Sequence, residues 1–189
     1  MQFGIFSPVR EIGRDYWLAG GSFDRVEIEI GPGTCGFLRS AALAAPRSLF
    51  VGIEWMPSLV ARASGGAPFP SNLRLLEGDG GWIVRHLLAP RSIDAVHVYF
   101  PDPWWKKRHH KRRVFQPELC SSLAEVLTVD GAVYVVTDVV PLFAEIRENM
   151  QGAGFAAEPW ERPIAGSSSY EAKYRRQGRQ FQQAAFRIA

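Results

Sequence analysis

Cysteine is scarce: the 189-residue chain has two, Cys35 and Cys120. They fall in no disulfide framework and no metal-binding spacing, so a structural zinc site is not expected, and a reducing cytoplasm is the expected setting. Long apolar runs are missing as well. No stretch approaches the roughly 20 residues of a membrane helix. The opening MQFGIFSPVREIG has no charged segment followed by an apolar core, so neither a membrane span nor a signal peptide is expected. Nor is there a large excess of one charge, since 22 Lys and Arg against 19 Asp and Glu leave +3. The balance hides clustering: the sequence pI is about 9.1, and much of the basic charge gathers at 106–113 and 173–179. Such a patch points to a polyanionic partner. Hydrophobic content of 47% and charged content of 22% are those of an ordinary globular protein, and the length suits one domain with a sizeable core.

What is present is an alternation of short apolar runs and helical stretches. Strands are expected at 26–30 (VEIEI), 49–54 (LFVGIE), 72–76 (NLRLL), 94–100 (DAVHVYF) and 131–137 (GAVYVVT), with two more near 152–158 and 180–187. Helices are expected from about Phe37, over 80–88, at 116–127 behind Pro117 and Glu118, and at 140–151. Residues 64–71 read as a loop. Residues 1–25 resist assignment; Arg10 and Arg14 read best as partners of surface salt bridges.

Acids and glycines recur at the ends of these strands. After the first comes Gly31-Pro32-Gly33-Thr34-Cys35-Gly36, where backbone N–H groups at the start of a helix can face a ligand. The spacing Gly31, Gly33, Gly36 is also that of a dinucleotide site, so a nicotinamide enzyme is a rival at this point. Glu29, two residues before Gly31, favours a different ligand, because dinucleotide sites usually carry an apolar residue there; a strand-end Glu facing solvent is the plainer alternative. Glu54, roughly 20 residues after the turn, can accept from both hydroxyls of a ribose, which suits either cofactor. Asp79, after the third strand, reads equally as an adenine acceptor and as a helix N-cap.

The fourth strand leads into the most unusual stretch, PDPWWKKRHHKRR at 101–113. One acid, Asp102, stands between two prolines. Trp104 and Trp105 follow, then eight consecutive basic or imidazole residues: Lys106, Lys107, Arg108, His109, His110, Lys111, Arg112 and Arg113. A basic run is most often a solvated loop. This one sits in mid-chain behind a buried strand, and its fixed cations repel one another unless an anion such as phosphate compensates them. The tryptophans read either as stacking surfaces or as core.

This stretch resembles the signature of the bacterial tRNA (guanine-N7-)-methyltransferase family at nearly every position, Trp105 standing where the family varies. Thr137-Asp138 and Ser168-Ser169-Tyr170-Glu171, followed by Lys173, Arg175, Arg176 and Gly178, are similar to further family motifs; the latter also reads as a capped helix start. The resemblance runs from about residue 26 to the end. It departs at Cys35, where methyltransferases usually have a third glycine, and at the N-terminal segment, 1–25, which is short for the family.

The resemblance implies an α/β fold: a Rossmann-like class I methyltransferase sheet of seven strands, mostly parallel with the last antiparallel, and helices on both faces in a single domain. It implies a cytoplasmic enzyme that moves a methyl group from S-adenosylmethionine to N7 of the variable-loop guanine of tRNA, conventionally numbered 46. No metal is involved. Asp102 takes the catalytic role, with Glu29, Gly31, Gly33, Glu54, Asp79 and Asp102 at the methyl donor. Lys106, Asp138, Ser168, Ser169, Tyr170 and Glu171 meet the substrate, and Arg108, His109, His110, Lys111, Arg112 and Arg113 meet the RNA. Two rivals stay open: a non-catalytic RNA-binding relative whose donor site is damaged at Cys35, and a nicotinamide oxidoreductase.

Overall fold

The computed structural model describes residues 12–19, 23–160, 178 and 180–189. Seven strands build one sheet: β1 (Arg25–Ile30), β2 (Ser48–Glu54), β3 (Leu73–Glu77), β4 (Ile93–Tyr99), β5 (Leu127–Thr137), β6 (Phe155–Glu158) and β7 (Gln182–Ile188). Their order across the sheet is β3-β2-β1-β4-β5-β7-β6. The four pairs among β1 to β5 are parallel, and β7 runs antiparallel to both β5 and β6. The chain thus walks outward from β1 to β3, returns, and continues from β4 on the other side of β1. That reversal opens a crevice between the carboxyl ends of β1 and β4, the place where open α/β sheets bind ligands.

Among the described residues there are six α-helices, α1 (Arg14–Leu18) ahead of the sheet and five between successive strands: α2 (Gly36–Ala44), α3 (Pro57–Ser64), α4 (Gly80–His86), α5 (Pro117–Val126) and α6 (Val140–Gly152). Proline in the first turn starts α3, α5 and α6, where its missing N–H costs no hydrogen bond. The central strands carry apolar side chains on both faces because both are covered, and all seven residues of β2 are buried. On one face Val26, Ile28, Val96, Val98, Val133 and Val135 pack with α4, α5 and α6; on the other, a smaller cluster joins Phe50 and Leu73 to Leu38, Ala42 and Ala63 of α2 and α3. Arg14 ties α1 to the sheet through Asp94 at 2.6 Å, and Asp94 also accepts from the Val26 amide at 2.8 Å. Arg14 thus forms a salt bridge, though to a largely buried partner rather than at the surface, and Arg10 lies outside the described residues.

The expected order of elements holds, and the differences are at their ends. The helix before β6 runs on through Gly152, because the glycine that takes the left-handed turn is Gly154 (φ 88°), and the strand starts at Phe155 rather than 152. Strand β5 begins at Leu127, directly where α5 stops. Residues 57–64, given no element from sequence, form α3, and the basic run folds into a 3-10 helix over Lys107–Arg112. No helix among the described residues is long and apolar enough to cross a membrane, and no described cluster of His, Cys, Asp and Glu could hold a metal ion.

Candidate functional site

A cleft of about 1170 Å³ opens at the carboxyl ends of β1, β2 and β4, and Glu29, Gly31, Gly33, Glu54, Asp79 and Asp102 all line it. Gly31 (φ 73°) and Gly33 (φ 57°) need the left-handed conformation, and a Cβ built on either meets no atom within 4 Å. The space they leave is therefore the cleft itself. Glu54, 3% exposed, accepts from the Gly33 amide at 3.0 Å and the Met56 amide at 3.0 Å. Each bond uses one carboxylate oxygen once, so each oxygen keeps a lone pair for a further donor. Asp79 caps α4, its carboxylate accepting from the Trp82 amide at 3.0 Å, and it also lines the cleft.

Cys35 stands apart from the glycines that line the cleft. It adopts the left-handed conformation of the missing glycine (φ 60°), yet its side chain is fully buried against Leu38, Ala42 and Phe50, outside the cleft lining. Burial first, then the negative charge of Glu29, pushes its thiol up to about 12.

Strand β4 ends in a strained corner. Phe100 (φ 52°) and Trp104 (φ 47°) are non-glycine residues in the left-handed region, each costing about 1–2 kcal/mol, and they bracket Pro101-Asp102-Pro103. Asp102 is exposed and stands between the main cleft and a second hollow of about 400 Å³ lined by Trp104, Trp105, Lys106 and His109. Neither tryptophan is core. Trp104 is half-buried between the Arg112 guanidinium, 5.0 Å from its ring, and the edge of His109, 5.7 Å away, while Trp105 is 73% exposed.

The basic run divides into an outer face and an anchor. Lys106, Lys107, Arg108, Lys111 and Arg112 are exposed. Arg113, whose side chain is 11% exposed, is committed inward: it pairs with Glu145 of α6, donates to the Pro103 carbonyl at 2.9 Å, and lies 2.9 Å from Nε2 of His110. Gln116 donates to the His110 carbonyl at 3.1 Å. His110 and Arg113 thus hold the run to the fold, a division that a string of similar charges does not reveal.

Asp138 is half-buried just beyond β5, the strand beside β4, so Asp102 and Asp138 leave neighbouring strand ends. Ser168, Ser169, Tyr170, Glu171, Lys173, Arg175 and Arg176 lie outside the described residues. Sequence reasoning missed Trp55, Met56 and Arg85 in the cleft wall. It also missed a polar chain under it, in which His97 Nε2 meets Glu27 at 3.0 Å and His97 Nδ1 meets the Tyr99 hydroxyl at 2.7 Å. The available signal was alternation: Glu27 and Glu29, then His97 and Tyr99, are polar at every second position of otherwise apolar strands.

A family model described as "Putative methyltransferase" matches residues 24–184. A tRNA (guanine-N(7)-)-methyltransferase of Bordetella pertussis is 38% identical over 148 residues, covering 72% of this chain and 58% of that protein. The same-named protein of Nocardia farcinica is 38% identical over 157 residues, covering 79% and 56%. The chain therefore spans somewhat more than half the length of these relatives. Among solved structures, the aminoglycoside resistance methyltransferase NpmB1 superposes with a TM-score of 0.62 at 14% identity over 95% of both chains. The 16S rRNA methyltransferase KamB superposes with 0.61 at 17% identity over 87% of both. At such identities the likeness concerns the fold, that of class I methyltransferases.

Proposed function

The chain belongs to the methyltransferase family whose model covers residues 24–184, and from that premise we propose that it transfers a methyl group from S-adenosylmethionine to N7 of the variable-loop guanine of tRNA. One methyltransferase domain carries both hollows, and the tRNA substrate places the work in the cytoplasm. The observation that carries the reading is the position of Asp102, which is shared by the glycine-lined cleft and by the hollow of Trp104, Trp105 and Lys106.

The donor set of the cleft fits S-adenosylmethionine. Glu54 keeps lone pairs for two ribose hydroxyls, Asp79 accepts an adenine amino group, Glu29 faces the amino-acid portion, and the bare backbone at Gly31 and Gly33 allows close approach. When bound, the donor supplies an electrophilic methyl on a sulfonium. Guanine N7 offers a free lone pair and loses no proton, so the protein needs no general base. Neither thiol competes as a nucleophile: Cys35 and Cys120 are buried, which pushes both up to about 12. What remains for the protein is orientation and charge. Asp102 and Asp138 accept from the Watson–Crick edge of guanine and offset the positive charge of the methylated base. Lys106, Arg108, Lys111 and Arg112 meet phosphate, His109 packs Trp104 for that surface, and His110 and Arg113 brace it. The motif at Ser168 to Glu171 completes the substrate side. Drawing the base from folded tRNA costs a few kcal/mol, which the phosphate contacts offset.

The test is transfer of labelled methyl to unmodified tRNA, followed by mapping of the labelled base. Label on the variable-loop guanine at N7 is the expected result; label on another base or atom would overturn the assignment. Donor binding without transfer to any tRNA would favour the non-catalytic relative. A nicotinamide enzyme is disfavoured, since the family whose model covers residues 24–184 is one of methyltransferases.

A further inference from the structure

Strands β1 and β4 hold a polar chain that the transfer reaction leaves unused. Glu27, Glu29, His97 and Tyr99 share one face of the sheet, with Glu29 opposite His97 in the β1–β4 register. The His97 side chain is 6% exposed and that of Glu27 16%. Glu27 accepts from His97 Nε2 at 3.0 Å, and its other oxygen meets Arg25 at 3.3 Å and Ser48 at 3.4 Å. His97 Nδ1 lies 2.7 Å from the Tyr99 hydroxyl. The His97 ring stacks on Tyr134, 5.2 Å between centroids, and packs against Phe37 at 5.0 Å. An apolar set of the same volume would fill this space without the desolvation that a buried ionic chain costs. The chain therefore calls for an explanation at its end, and its end is Tyr99.

Tyr99 lines the donor cleft. Its hydroxyl turns back along β4 to His97, so the ring is held from behind. Phe37, also in the cleft wall, meets it edge-on at 5.0 Å. Tyr99 also stacks on Trp160 at 6.5 Å, and Phe37, Tyr99 and the 5%-exposed Glu29 all line the same cleft, a lining that suits an organic cation through ring quadrupole and charge. S-adenosylmethionine is such a cation at sulfur, and the demethylated product, S-adenosylhomocysteine, is neutral there.

We propose that Glu27 and His97 are positioning residues that lock the Tyr99 ring into the cleft wall, and that this ring favours the sulfonium donor over the neutral product. The idea rests on the methyltransferase reading above. A ring locked from inside the sheet loses no freedom when the donor arrives, and product release is assisted once the charge has gone.

Calorimetric titration of the full chain with donor and with product, for wild type, Tyr99→Phe, His97→Leu and His97→Gln, tests this. His97→Leu is expected to weaken donor binding about tenfold, the size of one desolvated cation–π contact, and to leave product binding within about twofold. Tyr99→Phe, which keeps the ring and removes its anchor, shifts the same ratio in the same direction. His97→Gln, whose amide both donates and accepts, restores part of it. Should His97→Leu fail to fold, Tyr99→Phe carries the test alone. Equal weakening of donor and product, or an unchanged ratio in a folded variant, would overturn the positioning role while leaving the methyltransferase reading intact. A wild type that binds neither compound would sink both.

Discussion

At the scale of single residues, Asp102 is the sharpest test, because it is exposed and no hydrogen bond or ion pair joins its side chain to another of the described residues. Asp102→Ala is expected to lower transfer by about a hundredfold or more while thermal stability stays within about 0.5 kcal/mol; full activity would remove its catalytic role. The two cysteines make a second test. With both thiols pushed up to about 12, the native protein is expected to resist a thiol reagent at mildly alkaline pH and to react at both sites once unfolded. Glu27 gives the pH dependence. Burial pushes its carboxyl up, but the hydrogen bond and charge of His97, with Arg25, outweigh burial and hold it below its ordinary 4.5. The stability from its ionised form is present above that value and lost as pH falls through the lower folded one. The stability difference between wild type and Glu27→Gln, from denaturant titrations at stepped pH, is expected to fade on the acid side. Glu54 and Asp79 could be singled out in the sequence because an acid at or just past the carboxyl end of a strand has few places to go, and both line the cleft. The inward turn of Arg113 was not, because its partner Glu145 lies on a helix that no local pattern brings near.

At the scale of elements, the opening of α4 and the basic 3-10 helix carry the predictions. Gly80 opens α4 against β1, and a Cβ there would stand 2.7 Å from Cγ2 of Ile30. Gly80→Ala is expected to cost about 1–3 kcal/mol, read as a lower denaturation midpoint with the slope unchanged. In the 3-10 helix the outer face and the anchor separate by experiment. Replacing Lys107, Arg108 and Lys111 together by Ala is expected to reduce the slope of log affinity for tRNA against log salt by about 2. Arg113→Ala is expected to leave that slope alone and to cost about 2 kcal/mol of stability, as for hydrogen bonds to a charged group. A salt slope that ignores the triple change would return the run to a solvated loop. The strands and helices themselves could be read in advance, because periodicity and first-turn prolines act over a few residues. Element ends were less legible: Gly152 and Gly154 look alike in the chain, and only the second adopts positive φ.

At the scale of the molecule, the sheet order decides what the motifs can do together. Donor and product at a hundred times their dissociation constants are expected to add about 2.7 kcal/mol by mass action, raising the melting temperature by about 5–10 °C for a chain of this size. A nicotinamide dinucleotide at the same concentration is expected to leave it unmoved. The sequence by itself determined the strands, the glycine turn, the acids at or near the carboxyl ends of β1, β2 and β3, and the single acid ahead of the cationic run, because each depends on neighbours within a few positions. Only the tertiary structure decided which of these meet. The reversal between β1 and β4 brings Glu29 and Asp102 to one cleft from some seventy residues apart. Packing turned Cys35 into the core, drew Arg113 onto α6, and set Glu27 of β1 against His97 of β4. The physical reason is that a strand's face follows from its own alternation, whereas the partner across that face depends on strand order and register, which arise from burying the whole sheet at once.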